Sequence, residues 1–174
     1  MSKHLIKKKS KLRNAGNGLF ANKTFRKGDN VADYFGVPIT KDQVYKLYTN
    51  DKKHYMKEIH PFLRDVDDTR VVVGGEEEGD LYKGGVLVND AAKLTSIKIT
   101  DIQKYIREST KAENVAIALG GEFPTYRAIK RVKKGQEFYA HYGWGYWALA
   151  MGVPAEEISE MDKKYNFSQY YKKY

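Results

Sequence analysis

Cysteine is absent from this chain, which excludes disulfide staples, a thiol nucleophile and every cysteine-built zinc site, and makes an intracellular setting the simplest expectation. No uninterrupted apolar run approaches the roughly 20 residues that span a bilayer. The basic start, Lys7-Lys8-Lys9, leads into polar residues and not into a signal core, so a soluble protein without a membrane partner is expected. Long helical periodicities, an internal repeat and a disordered linker are likewise missing from the pattern. At 174 residues the chain can bury one substantial core but is short for two, and a single domain is expected.

What is abundant is positive charge. Lys and Arg number 31 against 22 Asp and Glu, a formal net charge of +9. Summed positive potential raises encounter with acidic or phosphate-bearing partners, nucleosomal DNA among them. A lysine-rich surface serves solubility equally well, so charge by itself names no function.

Along the chain, a basic arm over 1–11 precedes strand-like stretches at 19–21 and 31–35, parted by the turn Arg26-Lys27-Gly28-Asp29. Thr40 stands where a helix N-cap belongs, and Val44, Leu47 and Tyr48 recur at helical spacing, predicting a helix over 41–48 whose apolar face lies on a sheet. Further strands are predicted at 55–59, 70–73, 86–88, 115–119, 126–129 and 137–139, and a helix over 99–107 from Ile102, Tyr105 and Ile106. The Glu76-Glu77-Glu78 run reads as a solvated turn. Pro154 fits the first turn of a C-terminal helix whose early Glu156 and Glu157 suit its positive end. The reading is a mainly β domain with short helices.

Three motifs follow one another in order. The first is Gly16-Asn17-Gly18-Leu19-Phe20-Ala21 with Lys27-Gly28 and Asp33-Tyr34-Phe35-Gly36. The second is Gly84-Gly85-Val86-Leu87-Val88-Asn89-Asp90. The third runs from Arg127 through Ile129, Lys133-Lys134-Gly135 and Glu137 to Tyr139-Ala140-His141-Tyr142-Gly143, with Trp147 five residues beyond Tyr142. A glycine pair alone is ordinary loop punctuation. In this order and spacing the set resembles the SET domain of protein lysine methyltransferases, in its small stand-alone viral form, over residues 12–147. Asp90 stands where the family has histidine, and His141 where it has aspartate. The resemblance implies a β-clip-like fold with a pseudoknot, insertions around 40–64 and 91–113, and a helical C-terminal extension over 148–174.

It further implies S-adenosyl-L-methionine as methyl donor, S-adenosylhomocysteine as product and no metal. Asn17, Gly18, Leu19, Phe20, Asn89, Asp90, Tyr142 and Trp147 are the expected cofactor contacts, and Glu113-Asn114-Val115-Ala116 offers the family's second asparagine. Tyr142 and Tyr34 would be catalytic and, with Tyr139 and Ala140, would line a lysine channel, Ala140 leaving room for methylated amines. The amine must arrive neutral and in line with the sulfonium methyl, so orientation dominates, and aromatic faces suit both cations. Without a cysteine-rich zinc segment the aromatic and basic tail, residues 163–171, is the candidate to close the site.

The implied partner is a protein lysine, a histone tail or nucleosome being the natural case, with accessory DNA contact, a homodimer as the assembly and a nuclear, chromatin or virion setting. Two other classes stand beside the enzyme: a catalytically silent SET scaffold that binds peptide or chromatin, and a nucleic-acid binder drawing on Lys7-Lys8-Lys9 and the tail. Methyl transfer separates the first and a steep salt dependence the second.

Overall fold

The computed structural model describes residues 2–75, 80–119 and 122–170. Glu76-Glu77-Glu78 and Tyr171 lie outside the described residues. The chain forms two compact units, each discontinuous: Met1–Asn89 with Asn114–Phe138, and Asp90–Glu113 with Tyr139–Tyr174.

In chain order the first unit holds β1 (Leu5–Lys9), β2 (Asn17–Ala21), β3 (Asn30–Asp33), β4 (Gly36–Thr40), α1 (Lys41–Asn50), α2 (Lys52–His54), β5 (Leu63–Asp65) and β6 (Arg70–Gly74). It ends its first stretch at β7 (Asn89–Asp90) and resumes with β8 (Val115–Ala118) and β9 (Thr125–Ala128). β1 pairs with β2, β9 lies between β3 and β8, and β6 lies between β4 and β5, all antiparallel. The fully buried side chains that join these sheets include Leu19, Phe20, Val31, Val72, Val115, Tyr126 and Phe138. Each large one is worth roughly 1.5–3 kcal/mol by removal from water.

Residues 21–29 and 128–136 embrace each other about a local two-fold axis. Phe25 and Val132 exchange both backbone hydrogen bonds, at 2.8 and 3.0 Å. The Gly28 N–H donates to Ala128 O and the Gly135 N–H to Ala21 O, each at 2.7 Å. Both glycines have positive φ, 94° and 84°, which a side chain would strain. Each turn is closed alike, Asp29 accepting from the Arg26 N–H at 2.8 Å and Gln136 from the Lys133 N–H at 2.6 Å. Ala21-Asn22-Lys23-Thr24-Phe25-Arg26-Lys27-Gly28 and Ala128-Ile129-Lys130-Arg131-Val132-Lys133-Lys134-Gly135 are thus one short pattern used twice.

The second unit carries α3 (Ile99–Ala112), β10 (Tyr139–Ala140), α4 (Trp144–Ala150) and α5 (Ala155–Tyr165). Ile102, Tyr105, Ile106 and Ser109 fall at helical spacing and are the buried face of α3. They join a core of Leu94, Trp144, Ala148 and Phe167. Asn166 takes a left-handed conformation that ends α5, and Phe167 turns back edge-on to Trp144, ring centres 5.3 Å apart.

Several local expectations are corrected. The basic arm is strand β1, because buried Leu5 anchors it while its lysines stay exposed. Thr40 does cap α1, with the reciprocal Gln43 bond of a capping box, but α1 buries no residue and does not lie on a sheet by its apolar face. Residues 55–59 form a wide helical turn, since Asp51 caps the preceding helix and propagates it. Gly85–Leu87 form a tight helical turn from which Val88 leaves extended, and an added Cβ at Gly85 would sit 2.7 Å from Asp33 O. Mixed small β-sheets with short helices and C-terminal helices describe the observed architecture.

Candidate functional site

In the first unit the glycine-rich motif is organised by a carboxylate. Glu137 is 2% exposed. Its Oε1 accepts from the Ser10 hydroxyl at 2.6 Å and its Oε2 from the Lys11 N–H at 2.9 Å. Gly18 lies against it: an added Cβ would stand 2.2 Å from Glu137 Oε1. The close approach that requires a glycine here is to Glu137, which fills the space. Gly16 differs, with φ 67° and open space at its Cβ position.

Asn89 donates its amide to Asn17 O at 3.0 Å and lies 3.4 Å from Glu137 Oε1. Asn89 therefore ties the second motif to the first. Asn114, the second asparagine, donates to Glu137 O at 2.9 Å, and its own carbonyl receives the Ile129 N–H. Leu19 and Phe20 are fully buried, which leaves only their backbone to meet a ligand. Tyr34 is 2% exposed, gives its hydroxyl to Phe62 O at 2.9 Å, and packs edge-on to Tyr126.

The second unit is organised by another carboxylate. Asp90 is 7% exposed. Its Oδ1 receives the Ser109 hydroxyl at 2.5 Å and the Ala92 N–H at 3.1 Å. Its Oδ2 receives the Tyr142 N–H and the Trp147 indole N–H, each at 3.1 Å, and the Tyr105 hydroxyl. Two carboxylate oxygens offer about four acceptor sites, so protein donors saturate this one. Asp90 holds the loop of the third motif in place; it has no capacity left to face a cofactor.

Burial, and then the Asp90 charge, push the Tyr105 hydroxyl far above the ordinary tyrosine range, so it stays a donor. Ser109 spends its only proton on Asp90, so His141 Nδ1, 2.8 Å from Ser109 Oγ, must be the donor in that contact. Burial lowers the His141 pKa and the Asp90 charge opposes this, leaving a net downward shift. The two family departures, Asp90 and His141, thus meet on one hydroxyl. Tyr105 stacks on the His141 ring, centres 5.3 Å apart.

Beside this hub stand three half-buried rings. Tyr142 stacks on Trp147 with centres 6.2 Å apart and planes 16° from parallel, and Tyr146 meets both edge-on. Lys93 Nζ sits 5.6 Å from the Trp147 ring centre. The cluster is a cation-accepting aromatic face. Tyr139 is half-buried and Ala140 buried.

No protein-family model matches the chain, and no curated protein matches it. Solved structures do. A polycomb repressive complex 2 of Chaetomium thermophilum, bound to GSK126, aligns with 92% of this chain at 19% identity and a TM-score of 0.55, over 18% of its own chain. The same complex in an autoinhibited conformation bound to S-adenosylmethionine aligns with 94% at 18% identity and a TM-score of 0.56, over 17% of that chain. The complex with H3K27me3 aligns with 83% at 20% identity and a TM-score of 0.54, over 15%. The likeness is one of fold. This chain spans less than a fifth of the length of the chains it matches.

Reading by motif singled out Asn89, Asp90, Tyr142 and Trp147, and the structure joins the last three in one network. It missed Tyr105, Ser109 and Tyr146. Tyr105 and Ser109 stand four apart on the buried face of α3, and Tyr146 stands four beyond Tyr142, a spacing that puts side chains together on a helix. Glu137 was read only as part of a pattern, and nothing local marks it as buried. Among the described residues no group of three or more His, Asp or Glu is placed to hold a metal ion, and no helix is long and apolar enough to cross a membrane.

Proposed function

We propose that this chain has a SET-like fold and transfers methyl groups from S-adenosyl-L-methionine to the ε-amine of a protein lysine. The observation that carries the proposal is the Asp90 hub, which fixes the backbone of Tyr142 and the indole of Trp147 through one saturated carboxylate. It stands at the two motif positions where the family resemblance demands order. The fold likeness to a complex bound to S-adenosylmethionine supports the same reading.

The residues present fit the cofactor's chemistry. A sulfonium is a cation of low hydration, and Trp147, which stacks with Tyr142, already has the Lys93 ammonium over its ring. Gly16 has open space at its Cβ position, and its neighbour Asn17 is exposed and bonded to Asn89. When bound, the cofactor supplies an electrophilic methyl. The resemblance proposes Asn17, Gly18 and Leu19 in the first unit, and separately Tyr142 and Trp147 in the second, as its contacts, and Asn89 would fix the Asn17 turn.

Tyr142 is the group proposed to align the incoming amine and bound the channel with its ring, beside Tyr139 and small Ala140. Tyr34 enters as a rigid wall, because its hydroxyl is committed to Phe62. The histone tail as substrate rests on the likeness to a complex with H3K27me3. Homodimerisation and a chromatin setting belong to the same proposal.

The deciding experiment is transfer of labelled methyl from S-adenosylmethionine to nucleosomes, free histones and a mixed protein extract, with cofactor binding measured by calorimetry. Wild type should label lysine, and Tyr142→Phe should cut turnover by about 10²-fold, the loss of one positioned polar group, while retaining cofactor binding. A wild type that labels nothing and binds no cofactor would overturn the proposal in favour of a silent scaffold.

A further inference from the structure

The paired turns of the first unit concentrate exposed cations. Lys23, Arg26 and Lys27 on one copy and Arg131, Lys133 and Lys134 on the other are all exposed. None takes part in an ion pair among the described residues. The nearby carboxylate Asp29 is turned into its own loop, accepting from the Arg26 N–H. His4, whose carbonyl receives the Asn22 N–H, is held below the ordinary histidine range, by desolvation first and then by Lys23 and Lys3.

We propose that this two-turn ribbon is a docking surface for the phosphate backbone of duplex DNA. The proposal stands independently of methyl transfer. Its first support is symmetry. The axis through Phe25 and Val132 sets equivalent cation pairs, Arg26-Lys27 and Lys133-Lys134, at opposite ends of an antiparallel ribbon. The segments meet at the single antiparallel bridge of Phe25 and Val132, with a turn on either side, so both cation pairs fall well within one helical turn of B-DNA at roughly 34 Å. Antiparallel phosphate strands present charge with matching two-fold symmetry.

The second support is what the surface lacks. Phe25, Ala128 and Val132 are buried, and none of the exposed large hydrophobic residues falls within 21–29 or 128–136. Protein interfaces are depleted in lysine and anchored by aromatic or apolar side chains. Single-stranded nucleic acid is held by exposed stacking rings, and membrane surfaces by buried apolar faces. The ribbon presents none of these. A lysine and arginine surface without such groups suits a helical array of phosphates, which needs charge and position alone.

The test is fluorescence anisotropy of a labelled duplex of about 20 base pairs against the whole chain, without cofactor, across a salt series. Four engaged phosphates give a slope of about −3.6 in log K against log salt. Removing four charges as Arg26→Gln, Lys27→Gln, Lys133→Gln and Lys134→Gln should bring the slope near zero and weaken binding at least tenfold at 0.1 M salt. Either half, Arg26→Gln with Lys27→Gln or Lys133→Gln with Lys134→Gln, should remove about half the slope, and this keeps the test alive if the fourfold variant misfolds. The matched control removes Lys46, Lys52, Lys53 and Lys57, exposed elsewhere in the same unit, and should leave the slope unchanged. A control as damaging as the ribbon variant would reduce the effect to net charge and overturn the proposal. Binding at least as tight to single-stranded DNA, duplex RNA, an acidic peptide or anionic vesicles would overturn it as well.

Discussion

Replacing Asp90 by asparagine removes one charge and changes one atom, and its cost follows from the donors around it. The amide keeps a single acceptor oxygen. If that oxygen takes the Oδ2 position, it still faces the Tyr142 N–H, the Trp147 N–H and the Tyr105 hydroxyl, but its NH₂ now confronts the Ala92 N–H and the Ser109 hydroxyl. The Ala92 N–H loses its acceptor, about 1–2 kcal/mol for a part-buried donor. Three bonds to a charged acceptor become neutral ones, at roughly 1 kcal/mol each. The opposite orientation is worse, because neither the Tyr142 nor the Trp147 N–H can reverse. The sum is about 4 kcal/mol, which lowers the melting temperature by roughly 10 °C for a chain of this size. Urea denaturation followed by tryptophan fluorescence at neutral pH measures it. If methyl transfer is established, activity should fall while the folded fraction stays high at low temperature. A loss below about 1 kcal/mol, with unchanged tryptophan emission, would refute Asp90 as the organiser of the Tyr142 loop.

Gly18→Ala should destabilise by about 3 kcal/mol or more in the same assay. Its Cβ would lie 2.2 Å from Glu137 Oε1, and Glu137 is held by Ser10 and Lys11 and cannot swing aside, so the variant overpacks a closed site. His60, buried and near Arg64, has its pKa lowered from 6.5 to about 4, burial being the larger cause. The unfolded chain therefore takes up the proton first: the His60 contribution is whole above pH 6.5, is lost as pH falls toward about 4, and amounts to at most about 3 kcal/mol. Denaturation curves between pH 7 and 4 should show this loss, and His60→Phe should remove that part of it.

Legibility from sequence followed distance along the chain. The α1 cap, the buried face of α3 and both basic turns were readable because their signals lie within a few residues. Tyr55 to Ile59 and Val86-Leu87 were misread as strands, since short apolar runs fit a strand or a tight helical turn equally. The α1 face at Val44, Leu47 and Tyr48 has helical spacing yet is only half-buried, with Leu47 exposed and Tyr48 edge-on to Tyr55, because amphipathicity states what a helix can bury and not how much is there to receive it. The buried carboxylates were least readable. Glu137 gains its partners from Ser10 and Lys11, more than 120 residues away, and Asp90 gains four of its five from beyond Leu94. The motifs gave Asp90 a place, but its saturation required the folded partners.

The ribbon between residues 21–29 and 128–136 also bears on synthesis. Phe25, Ala21 and Gly28 leave the ribosome long before the segment that completes their hydrogen bonds. At 5–20 residues per second the delay is on the order of 5–20 s. During that interval β1 and β2 can pair locally, but the first unit cannot close, and Leu19, Phe20 and Phe25 stay in reach of chaperones. A stop anywhere before Phe138 would leave the two-fold ribbon or the Glu137 site without one half.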